Sequence, residues 1–337
     1  MPAARAVLVA ALLLLPSPAA SAPRTWTWAA IAPEQSVFAD VTEAIATRIE
    51  QNVQGEVRFK RRFGGVVGDE LSTLDLLRQG RIEVWSGSLG AIVTRVPELR
   101  TLELPFRFRD LPGLQAVLRR LRRGQIASIQ AAFRRRGLVL VTLGAIGWRS
   151  FSSTDRPIRT VSDLKGLRAR SQDSAVHEAM WRALGAVPKY APLNELSVTM
   201  ESERFQVLDV PAAFLYATSV IERIKHCTLT QHVPQIAVVV FSKAAWEGLS
   251  RSARARLTDG LDEVDRRGEA AAEVFEAELL ANMKQRGITV VRPEPAELER
   301  FRAATSGVER ELAAQAGPEE REIMRQISEA ASGAPAR

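Results

Sequence analysis

From Thr25 onward, two periodicities take turns, and that alternation constrains the fold more than any other feature. Short apolar runs of strand character lead into segments where apolar residues recur every three or four positions, and the unit repeats. Strand and helix patterns in alternation predict an α/β fold with mainly parallel sheets, because each helix must return the chain to the next strand across one sheet face. Residues 25–31 read as a first strand. Val37, Val41, Ile45 and Ile49 then mark a helix with Ser36 placed to cap it, and residues 56–59 a second strand. Residues 64–69 turn into a helix carrying Leu71, Leu74 and Leu77, Gly80 stops it, and residues 82–86 form a third strand. Two basic helices and a strand at 138–143 follow, with 148–151 still extended. A turn at 160–166 precedes a strand at 167–170, a helix at 174–184 and a strand at 238–241. From Ser252 to Arg286 the breakers are few, Gly260 and Gly268 among them, so one long helix is expected there.

The first residues point to a compartment. Arg5, an apolar run over 6–15, then Pro16, Pro18 and small residues to Ala22 have the parts of a secretory signal. Residues 1–22 are therefore expected to be a signal peptide, cleaved near Ala19, Ala20 or Ala22. The run is too short to span a bilayer, which takes roughly 20 apolar residues. No direct membrane insertion is expected, and residues after Ser332 are expected to be disordered. The single cysteine, Cys227, has no partner in the chain for a disulfide and reads as a buried, inert thiol.

The formal net charge of +7 invites a nucleic-acid reading, and arginines do cluster at 119–123 and 134–136. These fall on the polar faces of helical patterns, opposite Leu114, Val117, Leu118 and Leu121. Only six of the 46 basic residues are lysine, so the arginine excess looks compositional, and no nucleic-acid partner is expected. Catalytic motifs fail by a residue each. Ser86-Gly87-Ser88-Leu89-Gly90 lacks the first glycine of a nucleophile elbow. His177-Glu178 opens a zinc-protease pattern, but Trp181 stands where its second histidine belongs. The histidines at 177, 226 and 232 have no carboxylates at ligand spacing, and glycines 64, 65 and 68 make no phosphate loop. No enzymatic role, metal or cofactor is expected.

Seven segments together are more specific: 33–38 after the first strand; Gly64-Gly65-Val66-Val67-Gly68; 104–110, Leu-Pro-Phe-Arg-Phe-Arg-Asp; 156–160; 163–170, Asp-Leu-Lys-Gly-Leu-Arg-Ala-Arg; 228–232; and 242–246, Ser-Lys-Ala-Ala-Trp. In this order and spacing the chain resembles the substrate-binding subunits of tripartite ATP-independent periplasmic (TRAP) transporters, of the dicarboxylate-type P family, over roughly residues 25–311. The resemblance implies a two-lobed periplasmic-binding-protein fold with a ligand cleft between lobes and a long helix spanning both. Residues 23–147 would form mainly lobe 1 and 148–240 mainly lobe 2. Residues 241–337 would return to lobe 1 and supply the bridging helix and the C-terminal helices. The implied partners are a small organic carboxylate and the membrane permease subunits of a TRAP transporter. A carrier or sensor for an apolar ligand that works without a permease is the alternative.

By the same resemblance Arg170 matches the arginine that binds the ligand carboxylate, and Arg149 a second arginine near it. A guanidinium suits that task because its planar fork meets both carboxylate oxygens and stays charged. His232 matches a position that can approach ligand, with a capping or core histidine as the equal alternative. Ser86, Trp85 and Trp148 are expected to flank the cleft, a core role for the two tryptophans being the equal alternative. The chain departs from the pattern at two places. Leu193 stands where an aromatic residue commonly lines the pocket, and Val210 where an asparagine precedes proline. Both departures imply a ligand with one carboxylate and a largely apolar body.

Overall fold

The structure is a computed structural model that describes residues 22–34 and 36–332. The expected signal peptide, Ala22 apart, and the expected disordered tail lie outside the described residues. In chain order the elements are β1 (Arg24–Ala30), α1 (Val37–Asn52), β2 (Val57–Arg62), α2 (Glu70–Arg78), β3 (Val84–Ser88), α3 (Leu89–Val93), α4 (Leu111–Arg122), α5 (Ala127–Arg135) and β4 (Leu138–Ser153). The chain continues through β5 (Arg168–Ser171), α6 (Ala175–Ala183), β6 (Val187–Tyr190), α7 (Leu196–Ser202), β7 (Val207–Val210), α8 (Ala212–Ala217) and β8 (His226–Ser242). It ends with α9 (Lys243–Gly248), α10 (Arg251–Arg256), α11 (Leu261–Gln285), β9 (Thr289–Val291), α12 (Pro295–Thr305), α13 (Val308–Gln315) and α14 (Pro318–Ser332).

Local signals act where the sequence places them. The Ser36 side chain accepts from the amide of Ala39 at the start of α1, and Asp69 accepts from Ser72 at the start of α2. Each relieves one of the amide donors that a helix N-terminus leaves without an intrahelical partner. The turn before β5 is closed by Thr160 and Asp163 as a reciprocal capping box.

Hydrogen bonding links the strands in the order β2-β1-β3-β8-β4-β7-β5-β6, with β9 beside β8. Pairings β1–β2, β1–β3, β5–β6, β5–β7 and β8–β9 are parallel, whereas β3–β8, β4–β7 and β4–β8 are antiparallel. The mixture has one source: β4 and β8 pair with each other from Leu138↔Ser242 to Ser153↔His226 and so run through both lobes. The sequence reading recovered only the 238–241 end of β8. Its other half carries Gln231 at φ 45° and Pro234, which interrupt a strand pattern locally. The 147/148 division expected between lobes falls inside β4, and the 240/241 division inside β8.

Alternation along the strands builds a core on each sheet face. In lobe 1, Trp28, Val84, Val139 and Phe241 pack under α1, α9 and α10, whereas Ala29, Trp85, Leu140 and Val240 pack under α2 to α5 and α14. In lobe 2, Leu208, Val210 and Leu229 face α8, and Phe151, Ala169 and Val233 face α6 and α12. The C-terminal helices divide between lobes: Phe301 of α12 packs on Phe151, ring centroids 5.8 Å apart, and Ile323 and Ile327 of α14 join the lobe 1 core.

The expected single helix from Ser252 to Arg286 is two helices. Gly260 adopts φ 75°, a left-handed conformation that ends regular helix geometry and that glycine reaches without a Cβ penalty. The helix passes through Gly268 unbroken, because α11 begins at Leu261. From there α11 does cross the molecule, with Leu261 in a lobe 1 core and Leu279, Leu280 and Met283 in a lobe 2 core. Arg122 also departs from the polar-face reading. Its side chain is 4% exposed and lies 2.8 Å from Asp262 and 3.6 Å from Asp265 on α11. The neighbouring arginine cluster is tied down as well, with Arg136 3.0 Å from Glu98. Cys227 is buried, and burial pushes its thiol up to about 12.

Candidate functional site: a cleft between the lobes

Where β4 leaves lobe 1 its register with β8 shifts between Ala145 and Trp148 and again between Arg149 and Phe151. Such bulges re-aim side chains next to binding sites. Here Leu143, Ala145, Ile146 and Arg149 all border one interlobe cavity of about 1210 Å³, its open mouth included. The apolar wall comes from Ile31, Phe38, Val41 and Ile45 of lobe 1 and from Leu193, Val210 and Phe214 of lobe 2. Phe38 and Phe214 stack across the lobes with centroids 4.8 Å apart and planes 14° from parallel. Polar groups converge on one region: Arg149, Arg170, Gln172, Gln235, Ser86 and Glu70.

Arg149 is the more constrained arginine. Its Nε donates to Asp209 Oδ2 at 2.9 Å, and Nη2 donates to Asp209 Oδ1 at 3.2 Å and to the Asp209 carbonyl. Its Nη1 donates to Gln235 Oε1 at 2.7 Å and to Gln172 Oε1 at 3.2 Å. These five hydrogen bonds match the five N–H donors of a guanidinium. Beneath it, Asp209 also faces His177 Nδ1 at 3.2 Å and His232 Nε2 at 3.4 Å. A carboxylate only accepts, so both ring nitrogens carry protons, and His232 Nδ1 accepts from the Thr230 hydroxyl at 2.7 Å. Burial works to raise the Asp209 pKa, but Arg149 and the two histidines outweigh it and hold that carboxyl well below its usual range. His232 is pushed down, chiefly by burial. His177 moves up, because its hydrogen bond to Asp209 and the Glu103 carboxylate 3.8 Å from Nε2 overcome burial and the nearby Arg149 charge.

Arg170 is held differently. At 4% exposure it is as buried as Arg149, yet Nε and Nη2 both donate to one neutral acceptor, the carbonyl of Ala191, at 2.9 and 2.7 Å. Among the described residues no protein acceptor takes Nη1, and the side chain borders the cavity. Burial first, and then the charge of Arg149, bring its pKa down to about 10, which still leaves it a cation at neutral pH. The Ala191 carbonyl fixes the Nε–Nη2 edge of the fork and leaves Nη1 without a protein acceptor among the described residues.

The cleft therefore brings together Arg149, Arg170, Leu193, Val210 and Ser86 of the residues singled out in the sequence. The Ser86 hydroxyl accepts from Trp28 Nε1 at 2.9 Å, so its own proton remains to be donated. Three cleft expectations are corrected in favour of core roles. Trp85 is 1% exposed, belongs to the lobe 1 core and donates Nε1 to Thr73 at 3.1 Å; β3 alternation points it away from Ser86. His232 is buried under Arg149 and stacks on Phe151 with centroids 4.3 Å apart, so it supports the cleft floor and does not line the cavity. Trp148 likewise packs against the lobe 1 core. Sequence reasoning missed Asp209, His177, Gln172, Gln235 and Glu70. Residues 177, 209 and 232 stand far apart in the chain; the pairing of β4 with β7 and β8 brings 209 and 232 together, and α6 sets His177 against Asp209. Glu70 alone had a local cue, because it follows the capping Asp69 at the start of α2.

Comparison with known proteins agrees with this architecture. Residues 28–316 match the sequence profile of the bacterial extracellular solute-binding proteins, family 7. The 2,3-diketo-L-gulonate-binding periplasmic protein of Escherichia coli is 23% identical over 72% of this chain and 73% of its own length. The structure of a TRAP periplasmic solute-binding protein from Desulfovibrio salexigens with bound orotic acid superposes with a TM-score of 0.85 at 21% identity, covering 91% of this chain and 98% of that one. A TRAP solute-binding protein from Bordetella bronchispeptica, with density assigned as pantoate, gives a TM-score of 0.81 at 24% identity, covering 93% and 100%. Among the described residues no helix is long and apolar enough to cross a membrane, and no group of three or more potential ligands is arranged to hold a metal. With the profile spanning most of its length and the two-lobed α/β architecture shared, the chain belongs to the family 7 bacterial extracellular solute-binding proteins.

Proposed function

We propose that the protein is a periplasmic solute receptor that takes a small organic carboxylate into the interlobe cleft and delivers it to the permease of a TRAP-type transporter. The observation that carries this reading is Arg170: a buried cation beside the cavity, with one edge fixed by Ala191 and no carboxylate of its own at ion-pair distance among the described residues. A buried guanidinium in that state gains from an incoming carboxylate more than an exposed one does, because little water competes for the contact. Arg149 assists by charge, since its donors already have protein acceptors. The related proteins named above bind 2,3-diketo-L-gulonate and orotic acid, both acids, and so support the ligand class. The leader at 1–22 supports the compartment, and family membership the permease partner.

The walls narrow the ligand further. Val210 and Leu193 replace polar and aromatic groups, and Ile31, Phe38 and Phe214 extend the same surface. A polyhydroxy ligand would leave hydroxyls unpaired there at about 1–3 kcal/mol each. An aliphatic chain instead gains roughly 25 cal/mol for each Å² of apolar surface removed from water. One acid group on a largely apolar body is the ligand we infer. Thermal-shift titration with monocarboxylates of graded chain length, against malate, succinate and sugar acids, tests it. Stabilisation by the longer monocarboxylates is expected, and stabilisation confined to dicarboxylates or sugar acids would reject the apolar body.

A further inference from the structure

Charge balance in the cleft says more about the ligand than the walls do. Arg149 is neutralised by Asp209, which it grips with two nitrogens. Arg170 has no such partner: the charge of Asp209, which Arg149 already grips, acts on it without a contact, and of the carboxyl groups that border the cavity Glu70 is the one whose charge also bears on it. Glu70 is held in place: Oε1 accepts from the Ser88 amide at 2.6 Å and Oε2 from the Ser88 hydroxyl at 3.0 Å. The chain also makes room for it, because a Cβ at Gly87 would lie 2.7 Å from Glu70 Oε1 and 2.4 Å from the Trp85 ring. Asp69, Asp173, Asp265 and Glu269 border the same cavity, the last two 3.6 and 3.7 Å from Arg122. Burial raises the Glu70 carboxyl above its ordinary range, and a cation set beside it favours the ionised form.

A simple monoanion placed on Arg170 would satisfy that guanidinium and leave the half-buried Glu70 as a surplus acid. A ligand that brings its own cation satisfies both. We propose that the ligand is a zwitterion, with its carboxylate on the Nη1–Nη2 end of Arg170 and a protonated nitrogen on Glu70, the apolar body lying against Phe38, Val210 and Phe214. This rests on the carboxylate reading above and adds a second recognition point opposite the first.

The test is calorimetric titration of the protein with hexanoate, 2-hydroxyhexanoate and the 2-, 4- and 6-amino derivatives of hexanoate, which walk the nitrogen along one chain. At least one amino derivative is expected to bind about tenfold or more tighter than both hexanoate and its hydroxy derivative, the scale of one charge-assisted hydrogen bond. In Glu70→Gln that advantage is expected to shrink to less than about threefold, because the amide keeps the acceptor oxygen and loses the charge. Hexanoate or 2-hydroxyhexanoate binding as tightly as every amino derivative overturns the zwitterion and leaves the carboxylate reading standing. An undiminished advantage in Glu70→Gln removes Glu70 from the role. Binding of none of the five acids overturns both readings.

Discussion

The two arginines of the cleft are equally buried and differ in what surrounds them. Arg149 sits on β4 over β7, where Asp209, His177, His232, Gln172 and Gln235 close around it or its partner, and its five N–H groups have protein acceptors. Arg170 sits on β5 with a single carbonyl for company. Saturation makes the first a structural part of the floor that projects charge. Incomplete saturation leaves the second with donors for which the described residues supply no acceptor, and that is the ground on which it is proposed as the ligand anchor. Burial alone does not separate the two. The list of acceptors does.

The largest expected effect tests the floor. Arg149→Ala leaves Asp209 buried without its counter-ion, and breaking one side of a buried pair costs about 3–5 kcal/mol of stability. Thermal denaturation should therefore show a marked loss, and a melting temperature within a degree of wild type would mean that the floor is not held by this pair. Arg170→Ala is expected to do the reverse: little loss of stability, but about 2–5 kcal/mol of carboxylate affinity, at least roughly 30-fold. Arg170→Lys should not restore binding, because an ammonium cannot reproduce the planar two-point contact. Unchanged calorimetric affinity in either variant would collapse the distinction between the two arginines.

The same contrast recurs among acids, with opposite pH signatures. Asp209, with strong partners, has a depressed pKa, so its contribution is present above the ordinary carboxylate range and is lost only as pH falls through that depressed value. Glu276 on α11 has burial and one long hydrogen bond, from the Ala212 amide at 3.5 Å, and its pKa is raised to about 7. Its folded form holds a proton that the unfolded chain releases near pH 4–5, so stability falls as pH rises from there to about 7. Glu276→Gln removes that slope. The variant should gain on wild type between pH 5 and pH 8 in thermal melts, and parallel melting curves across that range would refute the assignment. The smallest effect concerns the wall. Val210→Asn should weaken an aliphatic acid by about 1 kcal/mol, roughly fivefold, and improve a sugar acid relative to it. A ratio of the two affinities that does not move would show that position 210 does not set ligand polarity.

Much of the fold was legible because its signals are local. Ser36 and Asp69 sit one residue ahead of apolar helical spacing, and the strands of lobe 1 carry their alternation within a few residues. Two identical glycines in the late helix were not distinguishable, because only backbone geometry makes Gly260 a break and leaves Gly268 inside α11. Trp85 and Ser86 were read together, and the strand pleat separates them, one into the core and one to the cleft.

Sequence by itself determined the alternating α/β architecture and the family resemblance, and it singled out Arg149, Arg170, Leu193 and Val210, since each is written within a short window. Tertiary structure decided which arginine is spoken for. The acceptors that saturate Arg149 come from residues 172, 209 and 235, and Glu70 borders the same cavity as Arg170 from the other lobe. Those distances in the chain are closed by the pairing of β4 with β7 and β8 and of β5 with β7. The unused donors for which Arg170 is proposed as the anchor are therefore a property of the folded neighbourhood and of no segment within it.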